Sequence, residues 1–127
     1  MKKLILFFVV AALLSGTALA TKVETIQWTS NGSGSATVYG NIDGILGRVI
    51  IVPSATAAPT DLYDIVIYDE SGWDILYGIG VDCSASAKEE INKGTSGFDV
   101  PHVSGLITVQ VTNAGDTKSG TIYLFYR

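Results

Sequence analysis

The sequence predicts a single antiparallel β-sandwich, Ig-like or jelly-roll-like, of about seven to eight strands behind an N-terminal signal peptide. Three observations carry that expectation. Short runs of alternating apolar and polar residues recur along the chain, most cleanly over residues 63–68 and 106–112. Clusters of Gly, Ser, Asn, Asp and Pro separate these runs at the spacing of sandwich strands. No segment carries the 3.6-residue period of a helix of ordinary length.

Residues 1–20 read as a secretory signal. Lys2 and Lys3 precede an apolar run over residues 4–14, and small residues lead to Ala18-Leu19-Ala20. The run is shorter than the roughly 20 residues that span a bilayer, so cleavage after Ala20 is expected, with no membrane segment in the mature chain. Removing the first twenty of 127 residues leaves 107, one domain over residues 21–127. That chain has 6 basic side chains against 12 acidic ones, once Lys2 and Lys3 are taken from the eight Lys and Arg. A formal −6 with scattered cations argues against nucleic acid and against an anionic membrane surface.

The strands follow in order. Residues 22–30 place Ile26 and Trp28 on one face and end in Asn31-Gly-Ser-Gly34, which reads as a hairpin tip with residues 35–40 returning as partner. Asn31-Gly32-Ser33 also fits a glycosylation acceptor, but tolerance of positive φ explains it more simply. A further turn at residues 41–44 leads to the near-continuous apolar run 45–52, a central strand with Val49 and Ile51 on one face and Ile50 and Val52 on the other. Pro53 ends it, because proline donates no ladder hydrogen bond.

Residues 63–68 and 73–77 form the next expected hairpin, with Tyr63, Ile65 and Ile67 inward and Asp69-Glu-Ser-Gly72 at its tip. Residues 85–92 are the one place where a helical turn is plausible, with Lys88, Glu89 and Glu90 outward and Ile91 inward. A long loop follows over residues 93–105. Strand 106–112 then buries Ile107, Val109 and Val111, and strand 121–126 closes the domain with Ile122 and Leu124 inward.

Catalysis finds little support. His102 is the only histidine and sits among apolar loop residues, and no Gly-x-Ser-x-Gly elbow occurs. Cys83 is the only cysteine, so an intrachain disulfide cannot form; buried filler is the simpler reading than a nucleophile or an interchain bridge. One His and one Cys cannot build a closed zinc site. Asp69, Glu70 and Asp74 cluster about a glycine turn and are candidate calcium ligands, although EF-hand spacing is missing and acidic turn chemistry accounts for them. No cofactor is expected. Tyr123 and Phe125 lie opposite Ile122 and Leu124, so the last strand offers two aromatic rings to something other than its own core. A subunit interface suits them, because aromatics are enriched there; a sugar platform is the alternative.

From residue 47 to 127, several pieces in order resemble the small virion-associated β-sandwich proteins of tailed bacteriophages. These are the strand Arg48-Val-Ile-Ile-Val-Pro53, the segments Ala-Ala-Pro-Thr-Asp61, Tyr63-Asp64 and Asp69-Glu-Ser-Gly-Trp-Asp74, then Gly78-Ile-Gly80 and the last two strands. The resemblance implies a non-enzymatic structural or adhesive subunit that associates with itself or with other structural proteins. The export signal points to the periplasm or medium, so a virion location and an exported one both stay open. The alternative is a secreted bacterial domain that binds carbohydrate or a cell-surface partner.

Overall fold

The alternation of the sequence becomes six antiparallel strands in the computed structural model, which describes residues 20–127. They are β1 (Lys22–Thr29), β2 (Ala36–Pro53), β3 (Asp64–Tyr68), β4 (Glu89–Asn92), β5 (His102–Thr112) and β6 (Ser119–Tyr126). The signal-peptide reading falls, apart from Ala20, outside the described residues. Hydrogen bonding runs β1-β6-β2-β5-β3, with β4 on the second half of β2. The path folds at β2. Its first half, residues 36–45, pairs β5, and its second half, residues 46–53, pairs β6. Sheet I is therefore β1-β6-β2-β4 and sheet II is β2-β5-β3, an antiparallel sandwich whose corner is made by one strand that changes sheets.

Gly44 and Gly47 make the corner. Gly44 has φ +151°, and a Cβ there would lie 2.6 Å from the Arg127 carbonyl oxygen, so glycine is what lets the end of β6 dock beside it. A bulge between Leu46 and Arg48 resets the register as the strand enters sheet I. The expected turn at residues 41–44 is thus continuous strand, with Ile42 buried and Asp43 exposed.

Six strands replace the expected seven to eight for local reasons. The runs 35–40 and 45–52 merge into the 18 residues of β2. The expected strand 73–77 is reduced to one bridge, Tyr68 with Asp74. The Asp74 carboxylate accepts the Leu76 N–H at 2.9 Å and the Gly78 N–H at 2.7 Å, which curls the chain and buries the consecutive Ile75 and Leu76. Consecutive buried residues do not fit a strand's alternation. Conversely, the expected helical turn is partly the short strand β4, whose Glu90 faces out to Arg48 while Ile91 faces in. Charged residues suit an edge strand as well as a helix surface.

The first expected hairpin is also corrected. β1 pairs β6 and not the start of β2, so the 31–34 turn carries the chain between sheets. Its anchorage explains this: Asn31 Oδ1 accepts the Ser33 and Ser35 N–H groups, and Ala114 donates its N–H to the Gly34 carbonyl at 2.9 Å. The turn docks on the β5–β6 connection. β3 is covered on its outer edge by residues 75–83, through Ile75 N–H to Ile67 O at 2.8 Å, Ile65 N–H to Gly80 O at 2.6 Å and Cys83 N–H to Tyr63 O at 2.7 Å.

The core lies between the sheets. Ile26, Trp28, Val49, Ile51, Ile65, Ile67, Ile107, Val109, Val111, Ile122 and Leu124 are all buried, as their positions in the alternation predict. Ile42, Leu46, Tyr63, Ile75, Leu76, Cys83 and Phe98 join them from the corner and the loops. Trp28 and Tyr63 pack in this core with ring centroids 5.7 Å apart.

Candidate functional site

Each acidic side chain of the 69–74 turn is engaged by backbone. Asp69 Oδ1 accepts from Ser71 N–H at 2.9 Å, Ser71 O–H at 2.6 Å and Trp73 N–H at 3.0 Å, and these bonds hold its carboxyl below the usual range. Glu70 reaches across to the Leu106 N–H at 3.1 Å, and Asp74 is committed to the two N–H groups of its own turn. The three carboxylates thus serve three separate donor sets. Among the described residues no group of three or more His, Cys, Asp or Glu lies close enough to hold a metal ion.

His102 opens β5 as an exposed residue opposite Ile45. Cys83 is buried, with its S–H directed at the Gly80 carbonyl at 3.3 Å. Burial, then the charges of Glu89, Asp64 and Asp82, push the thiol up to about 12. A thiol so placed stays protonated at neutral pH and is out of reach of a second chain.

What the structure does assemble is a face. On the outer side of sheet I the register aligns Val23 with Phe125 and Arg48, Thr25 with Tyr123 and Ile50, and Gln27 with Thr121 and Val52. Tyr123 and Phe125, singled out by alternation, are half-buried and sit in the middle strand of this patch. Ile50 and Val52 flank them, and Val23 is 48% exposed. The Arg48 guanidinium lies 5.2 Å above the Phe125 ring and is held by Glu90 at 3.0 Å, so the patch has a charged margin. Among the described residues β1 ends the sheet, paired on one side alone. Glu24 guards the neighbouring open edge of sheet II, its carboxylate accepting the Asn41 N–H at 3.3 Å.

The outer side of sheet II is different in character. Tyr39, Thr108 and Tyr68 form one cross-strand row, and Thr37, Gln110 and Val66 form the next. Tyr39 is 65% exposed. The two tyrosines stand two strands apart, about 10 Å, with hydrogen-bonding side chains between and beside them.

No family model matches the chain, and a search of curated proteins finds no match. Three solved structures are similar over most of it. A serine protease of Aeromonas sobria shares 12% identity at TM-score 0.42, over 86% of this chain and 27% of that one. The structure of infectious bursal disease virus Gx strain shares 18% at TM-score 0.35, over 85% and 32%. The virus-like particle of extra small virus of the giant freshwater prawn Macrobrachium rosenbergii shares 21% at TM-score 0.32, over 86% and 79%. The chain spans about a third or less of the length of the first two, and likeness at these scores carries no argument about activity.

Proposed function

We propose that this protein is a non-enzymatic structural subunit that associates with copies of itself through the outer face of sheet I. One observation carries the reading: pairing β6 between β1 and β2 gathers Val23, Tyr123, Phe125, Ile50 and Val52 from three distant parts of the sequence onto one water-facing surface. A contiguous aromatic and β-branched patch with a polar margin has the composition of an interface core and rim. The edge of β1, unpaired among the described residues, borders it and offers backbone hydrogen bonds to a neighbouring strand.

Light scattering on the purified protein tests this. A defined oligomer is expected, and Tyr123→Glu should dissociate it to a folded monomer, because Tyr123 faces away from the core; its melting temperature should fall only by what association contributes. A wild-type monomer at all concentrations overturns the reading and favours the other face. In that case the Tyr39, Thr108 and Tyr68 row supports a secreted binding domain, since flat aromatic rows with adjacent amides and hydroxyls suit sugar rings. The finer, virion-like reading rests on the resemblance of the strand and turn pieces; it expects the protein in purified particles, whereas the exported reading expects it in periplasm or medium.

A further inference from the structure

We propose that the cleft at the corner of β2, where the strand leaves sheet II for sheet I, binds a small organic anion: a carboxylate or phosphate carried on an apolar or aromatic body. The cleft is about 400 Å³, within the range of small-molecule sites. Its apolar walls include Ile45, Val100 and Phe125, and its charged groups are Arg48, Lys93 and Arg127. No Asp or Glu side chain lines it. Three of the chain's eight Lys and Arg residues therefore line one cavity in a protein of formal net charge −4, an inversion of the overall balance.

The cations differ in availability. Arg48 is already bound to Glu90, Nε to Oε1 at 3.0 Å and a second contact at 3.2 Å, and it covers the Phe125 ring. Lys93 and Arg127 have no ion-pair partner among the described residues. Asp43, two positions before Ile45, and Asp99, next to Val100, are exposed and do not line it. A ligand's anionic group would thus supply the counter-charge that no Asp or Glu side chain supplies there, while its body replaces water against Ile45, Val100 and Phe125.

The backbone that carries these two cations is fixed before any ligand arrives. Ile45 donates its N–H to the Arg127 carbonyl at 2.7 Å, and Arg127 donates its own to the Ile45 carbonyl at 3.2 Å. The turn that bears Lys93 is closed by Gly94 N–H to Asn92 Oδ1 at 2.7 Å, Asn92 N–H to Thr95 Oγ1 at 3.0 Å and Thr95 N–H to Asn92 O at 2.8 Å. Fixed backbone lowers the ordering cost of binding, which is what separates a site from a chance meeting of side chains. The cleft shares Phe125 and Arg48 with the face proposed for self-association, but its two free cations lie outside that face, so either reading can fail without the other.

Titration of the isotope-labelled protein, followed by amide NMR shifts, tests the site with benzoate and phenyl phosphate as probes. Benzyl alcohol and inorganic phosphate supply each half of the chemistry alone. At least one aromatic anion should give saturable shifts centred on Ile45, Lys93 and Arg127, and the tighter of the two identifies the head group. Each half-probe should bind at least tenfold more weakly, and binding should weaken as salt rises from about 0.02 M to about 0.5 M. Lys93→Met combined with Arg127→Met should lower affinity at least tenfold with unchanged melting, since both side chains are exposed. The proposal is overturned if neither anion saturates, if inorganic phosphate binds as tightly as phenyl phosphate, or if the double variant or high salt leaves affinity intact.

Discussion

Trp28 Nε1 and Tyr63 Oη are buried side-chain atoms with no hydrogen-bond partner among the described residues, and their rings pack together, tilted, in the core. A buried hydroxyl that makes no bond has lost its water and gained nothing, whereas its ring supplies much of the local packing. Tyr63→Phe keeps the ring and deletes the unpaired oxygen. It should leave stability unchanged or raise it by about 1 kcal/mol, read as the urea midpoint at constant slope. A loss of about 2 kcal/mol or more would mean that the hydroxyl has a partner. Trp28 allows no such replacement, because its indole rests on Gly120, where a Cβ would come within 2.8 Å of the ring. Inwardness was legible in the sequence for both residues, from their places in an alternation. That Tyr63 meets Trp28 was not, since 35 positions separate them and only the pairing of distant strands brings them together.

At the scale of elements, what was legible depends on how far the deciding contact lies along the chain. Period-two runs such as Ile107, Val109 and Val111 depend on neighbours two positions away, and their faces came out as expected. The Asn31 turn has the same residues as a hairpin tip, yet its docking on the loop around Ala114 decides that β1 and the first half of β2 enter different sheets. β4 carries charges in place of a period and is a strand only because β2 offers it an edge. The outward set of Tyr123 and Phe125 could be read from β6 alone, while Ile50, Val52 and Val23 joined it only through pairing, and the cleft's cations come from three segments with no common motif. Gly44 is the sharpest case: a glycine in an apparent turn that is a strand corner. Gly44→Ala places a Cβ against the Arg127 carbonyl at an unfavourable φ, and should cost about 2 kcal/mol. Hydrogen exchange should then speed up at the Ile45 and Arg127 amides before it does so in β5; uniform protection would show that the corner tolerates a side chain.

For the whole molecule, stability against pH joins the core to the surface. A core without disulfides rests on packing, and Cys83 lies in it as an uncharged thiol. Its folded value, about 12, is raised above its ordinary 9.0, chiefly by burial. Between those values the unfolded chain has released the proton and the folded chain still holds it, so the unfolded state binds fewer protons and stability falls as pH rises. Below 9.0 this contribution is fully present; approaching 12 it is lost. Tyr63 acts in the same direction from 10.0 upward, because burial, with Cys83 and Glu89 nearby, raises its hydroxyl as well. The melting temperature should therefore be level between about pH 7 and pH 8.5 and decline steeply above about pH 9. In Cys83→Ala the first part of that decline should flatten, whatever the variant's stability at neutral pH, because the slope counts protons and not contacts. An unaltered slope would mean that the thiol reaches solvent, and the sandwich would then have to open near Gly80 in its native state.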